Sequence, residues 1–131
     1  MNTKTAAIIW GVLFIGVGLL GFISNPIIYD SHTAIFHADK VHNMVHIVSG
    51  ALFLLIALAL PGSASVFLIA FGIVYFFLGI MGLVNYGSEG MGQLLGFLHV
   101  NGADNFLHIG LGIAIFLSGI FFQRTQRAAA G

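Results

Sequence analysis

His42-Asn43-Met44-Val45-His46-Ile47-Val48-Ser49-Gly50 and Asp104-Asn105-Phe106-Leu107-His108-Ile109-Gly110-Leu111-Gly112 are two versions of one stretch. Both read His/Asp-Asn-apolar-apolar-His-x-x-x-Gly, and each stands where a long apolar run begins. On a helix, residues four apart lie on one face. His42 and His46 therefore share a face, as do Asp104 and His108.

Outward from these stretches the chain is apolar runs joined by loops. The runs are about Ala6 to Ile23, Val41 to Leu60, Val66 to Val84 and Asn105 to Phe122. Each is near the roughly 20 residues that cross a bilayer as a helix. Pro61-Gly62 marks a tight turn between the second and third runs. The other connections, about 24–40 and 85–104, are long and hold nearly all the acid and histidine.

Composition agrees. Of 131 residues, 59% are hydrophobic and 6% charged, where a soluble domain carries about 25% charged. Lipid must be the main solvent. In hydrocarbon only helices or closed barrels satisfy their backbone, and barrel strands would be about half as long as these runs. The fold class expected is all-α, a four-transmembrane-helix bundle in one integral membrane domain over residues 1–131. With zero formal net charge and no basic patch, nucleic acid is not an expected partner. Cysteine is absent, which excludes disulfides and thiolate chemistry.

Lys4 before an apolar core resembles the start of a signal peptide. No small-x-small site follows Ile23, and the run has a counterpart later, so a retained span is expected. The counterpart is a glycine set: Gly11, Gly18 and Gly21 are spaced as Gly72, Gly79 and Gly82 are. Their offset is close to that between His46 and His108. The chain therefore reads as two tandem helical hairpins, about 1–62 and 63–131, a parallel internal repeat with a pseudo-two-fold axis along the membrane normal.

The glycines are expected to let helices approach closely, with Gly110, Ala114 and Ser118 a further small-residue stripe. Trp10 and Tyr29 are expected near opposite membrane interfaces. Lys4, Arg124 and Arg127 lie at the termini and only Lys40 in a long loop. The positive-inside rule then places both termini in the cytoplasm and the long loops outside, in a bacterial inner (plasma) membrane.

If both polar faces turn inward, His42, His46, Asp104 and His108 converge near the outer boundary. Three imidazoles and a carboxylate suit tetrahedral zinc, and copper or iron also fit. His99 is the first addition to such a site. His32 and His37 stand in the loops, placed to complete the site or guide an ion to it. Asn43 and Asn105 would serve as supporting donors or helix-start residues. Haem, with His46 and His108 as axial ligands, ranks below a simple metal, because both stand near helix starts and only Lys40 could meet the propionates. HxxxH is not HExxH: position 43 is Asn, so the general base of a zinc protease is missing.

Other readings stand beside this one. Asp104 or Asn105 could cap the fourth helix and Asp39 the second. The histidines could tie helices together, or move or sense protons. No nucleophile–base–acid set is present, so an enzyme is not expected. The middles of the spans are almost wholly apolar, which argues against a one-chain transporter.

The motifs H-N-x-x-H-x-x-x-G (His42, Asn43, His46, Gly50) and D-N-x-L-H-x-x-x-G (Asp104, Asn105, Leu107, His108, Gly112) resemble those of a group of small bacterial four-helix membrane proteins, a family of unknown function. The likeness covers nearly the whole chain. It implies the fold and no activity.

The sequence thus points to a membrane protein with an extracytoplasmic His/Asp metal site. The alternative is a non-enzymatic accessory or assembly subunit, its small-residue faces packing in a homo-oligomer or a larger membrane complex.

Overall fold

The computed structural model describes residues 1–131 except the side chains of 124–126. Arg124, one of the basic residues behind the expected orientation, falls outside the described residues. Four long helices pack as a bundle: α1 (Thr3–Leu20), α2 (Lys40–Ala59), α3 (Ala64–Tyr86) and α4 (Gly102–Ala130). A single 3-10 turn, Pro61–Ser63, joins α2 to α3 where Pro61-Gly62 foretold a tight connection.

Their starts follow capping chemistry. Asn2 caps α1, its side chain accepting from the Thr5 N–H at 2.9 Å. Asp39 caps α2, accepting from the His42 N–H at 2.9 Å. At α4 the cap is Asn101, not Asp104 or Asn105. Asn101 Oδ1 accepts from the Asp104 N–H at 2.9 Å, and Asp104 Oδ2 accepts from the Asn101 N–H at 2.8 Å. This reciprocal capping box starts the helix three residues before the sequence expectation.

The two long loops lie at the same end of the bundle and are not bare coil. The first carries β1 (Ile28–Tyr29) and β2 (Phe36–His37), paired in parallel. The second is a hairpin of β3 (Met91–Leu94) and β4 (Leu98–Asn101). β2 lies against β4, and Asn101 Nδ2 donates to the Ile35 carbonyl at 3.0 Å. The loops thus form one cap over the bundle.

Within α1–α2 and α3–α4 the helices meet through glycine. Gly11 lies against the Gly50 carbonyl and Gly72 against the Gly112 carbonyl. Gly18 lies against the Asn43 carbonyl and Gly79 against the Asn105 carbonyl. Packing inside each pair is far more extensive than between pairs. Gly110 departs from its expected packing role, for nothing stands over it. The close contacts on α4 come from Gly112 and Gly119 instead.

Aromatic rings join the pairs. Phe14 meets Tyr75 edge-on at 5.2 Å between centroids, and Phe53 lies 4.6 Å from Phe71. Trp10 stands midway along α1 rather than at its end, and its indole N–H donates to Ser118 Oγ of α4 at 3.2 Å. That hydrogen bond ties α1 to α4, with Trp10 half-buried. The outer faces are dense with exposed Leu, Ile, Val and Phe, including Leu58, Val66 and Val84. All four helices are long and apolar enough to cross a membrane. So large an apolar surface belongs in lipid.

Candidate metal centre

His42 and His46 project from the first turns of α2, and His108 from the second turn of α4. All three are at most 5% exposed. Ring centroids lie 4.6 Å apart for His42–His46, 5.5 Å for His42–His108 and 6.3 Å for His46–His108. One ligand atom from each lies within 4.8 Å of the others. The floor below is aromatic and doubled. Phe14 meets His46 edge-on at 5.9 Å, and Tyr75 meets His108 edge-on at 5.4 Å. Tyr75, which the sequence reading did not single out, is also hydrogen-bonded to Ser49.

The His42 ring is fixed by backbone. Its Nδ1 lies 2.8 Å from the His99 carbonyl. A carbonyl only accepts, so Nδ1 carries the proton and Nε2 keeps its lone pair. Such a contact sets the tautomer and aim of a ligating imidazole. His46 Nδ1 and His108 Nδ1 are buried with no hydrogen-bond partner.

The other expected ligands are placed differently. Asp104 is buried, but its Oδ2 accepts from the N–H of Asn101 and, at 3.1 Å, from that of His37. It closes the capping box and ties the first loop to α4, and it stands outside the group of three. His99 also stands outside it. Its carbonyl orients His42, while its ring stacks on His37 at 4.1 Å and 28°. Asn43 and Asn105 are buried against glycine: a Cβ at Gly21 would overlap the Asn43 amide, and one at Gly82 the Asn105 amide. Asn43 Nδ2 donates to the Ala38 carbonyl at 3.3 Å.

Above the triad, His37 Nε2 lies 3.0 Å from Asp30 Oδ1. Burial, followed by the neighbouring His99, holds the His37 imidazole below its usual pKa. The ring is neutral at pH 7, so this contact is a hydrogen bond rather than an ion pair. His32 lies 5.4 Å from His37. Only the packing of β2 against β4 brings these rings together, and no local spacing signals it.

The fold and site together define a four-helix membrane bundle with a buried histidine triad at its loop-bearing end. Over residues 4–121 the sequence matches the family described as Domain of unknown function (DUF4383), and the chain belongs to that family. No curated protein and no solved structure matches it.

Proposed function

We propose that this protein binds a transition-metal ion, zinc or copper, through His42, His46 and His108. The observation that carries the reading is the convergence of three buried imidazoles from two helices, with ligand atoms inside 4.8 Å. A buried polar group left unpaired costs about 1–3 kcal/mol. The unpartnered nitrogens of His46 and His108 fit a site where an ion supplies the missing interaction. Tetrahedral zinc with Zn–N near 2.1 Å needs nitrogens about 3.4 Å apart, so the rings would turn slightly inward to grip it. Three protein ligands leave one position open for water or a further ligand. Iron, which imidazole also suits, is a third candidate. Haem fits worse, because the His42 ring stands against both His46 and His108 where a macrocycle would lie. In this reading Asp104 and His99 position the site rather than ligate.

The same proposal takes the chain as a single domain of two tandem hairpins, about 1–62 and 63–131. The matched contacts Gly11–Gly50 and Gly72–Gly112, and Phe14–His46 and Tyr75–His108, support it. The positive-inside rule supports cytoplasmic termini and a site on the outer side of a bacterial plasma membrane.

The test is metal content with an absorption spectrum on detergent-purified protein. Near-stoichiometric zinc or copper, lost in the His46→Ala/His108→Ala double variant while the protein still inserts, is expected. A folded protein free of metal would overturn the reading. The second reading, an assembly subunit whose histidines only join helices, draws on the open surface over Gly110 beside exposed Ala114. Under it the double variant loses stability or complex recovery, with metal at background throughout.

A further inference from the structure

All six histidines of the chain form one file. It begins at exposed His32, 5.4 Å from His37. His37 stacks on His99 at 4.1 Å, and the His99 carbonyl contacts His42 at 2.8 Å. His42 then adjoins both His46 and His108. The file runs from solvent, beside the exposed carboxylate of Asp30, to the buried triad.

Its outer members have spare donor atoms. His37 Nδ1 and His99 Nε2 are buried with no hydrogen-bond partner, and the His37 side chain is 4% exposed. What these two residues give the inner site comes from backbone. The His37 N–H holds Asp104, and the His99 carbonyl holds His42. Their imidazoles are not needed for that work.

The opening on the flank does not suit an ion. A cavity between α1 and α4 reaches His46, lined otherwise by Trp10, Leu13, Phe14, Val17, Leu107 and Leu111. A cation entering there would lose its water with nothing to replace it. The histidine file offers imidazole nitrogen at its outer and inner ends, with the His99 carbonyl between them.

We propose that Asp30, His37 and His99 are a capture and transfer station, through which a transition-metal cation passes from the outer surface to the triad. This rests on the metal-binding reading above. Asp30 attracts the cation from solvent, and the His37 and His99 nitrogens hold it transiently. No bond is made or broken besides coordination.

A residue on a path differs kinetically from a ligand. It changes entry and exit by the same factor and leaves the equilibrium alone. The experiment uses the full chain in detergent with cobalt(II) as probe, its visible band followed in a stopped-flow instrument. Exit is read by exchange against excess zinc. His37→Gln and His99→Gln keep the backbone contacts and most of the ring volume. Each is expected to slow entry and exit together by about tenfold, a barrier change of about 1.4 kcal/mol, with final occupancy unchanged. Unchanged rates would overturn the proposal, and so would lost occupancy, which would make these residues ligands. If the wild-type chain takes up no cobalt at all, it is the metal-binding reading that fails, and this one with it.

Discussion

A Cβ at Gly21 would overlap the amide of Asn43, and one at Gly82 the amide of Asn105. Each glycine is a notch that seats the asparagine three residues before its histidine, and so sets how the start of the next helix lies. Two effects compete on replacing it. Alanine gains up to about 1 kcal/mol of helix propensity inside a helix, while overpacking costs about 1–3 kcal/mol. Here a whole amide group must move, so overpacking wins. Gly82→Ala is expected to lower the thermal midpoint in detergent and to weaken metal uptake. Gly16→Ala, where nothing stands within 4 Å, is expected to be neutral or stabilising. Equal midpoints for the two variants would refute the notch. At this scale the sequence was generous. The recurrence of Asn, His and Gly at matched offsets marked the buried polar residues before any coordinates. It did not mark Gly110 as unpacked, since a small residue reads alike whether it faces a helix or lipid.

The elements were legible as spans and illegible as a cap. Periodic apolar runs near 20 residues long announce membrane helices, and four were found, three close to the expected bounds and α4 running on past Phe122 to Ala130. The short strands carried no such signal. β1 and β2 hold two residues each, and their value lies in placing His37 and His99 side by side across 62 positions. A non-local pairing of that kind leaves no periodicity. Asp104 has a second role that spacing did not signal. Spacing put it on the face of His108, but its reciprocal bonds with Asn101 and the His37 N–H engage Oδ2 at the helix start. Asp104→Ala should therefore cost about 1 kcal/mol through the lost half of the capping box, the net worth of one such hydrogen bond, and more if the loop tie is also lost. Asp104→Asn keeps an acceptor and should retain bound metal at near wild-type stoichiometry. Metal analysis and thermal melts of the two variants check this. Stoichiometric loss of metal in Asp104→Asn, with the fold intact, would restore the carboxylate as a ligand.

For the whole molecule the question is what holds the two helix pairs together. Within each pair the backbones meet at glycine. Between pairs the helix contacts are aromatic, with Phe14 against Tyr75 and Phe53 against Phe71, plus the Trp10–Ser118 hydrogen bond, and the cap adds hydrogen bonds from His37 to Asp104, His42 to His99 and Asn101 to Ile35. Phe14→Ala removes a ring that touches His46, Phe53, Phe71 and Tyr75. A cavity of that kind costs about 3–5 kcal/mol, and the loss should be shared between the first pair, which holds His46 and Phe53, and the junction with Phe71 and Tyr75. The proposed ion crosses the same junction, since His42 and His46 come from the first pair and His108 from the second. Metal should then act as a clamp. The chain can be cut at Gly62, which is exposed with nothing within 4 Å of an added Cβ, and residues 1–62 and 63–131 expressed together as separate chains. Each half keeps its glycine-packed helix pair, and the aromatic contacts give them a basis for association. An ion at about 100 times its dissociation constant adds roughly 2.7 kcal/mol to the state that binds it, about a hundredfold in the association constant. Tagged residues 1–62 should therefore capture residues 63–131 from detergent, and chelation should weaken that capture steeply. The His108→Ala form of the second half should show the weaker capture whether or not metal is present. Capture indifferent to chelator in every form would mean that the rings and the hydrogen bonds of the cap join the halves and that the three imidazoles do not share an ion.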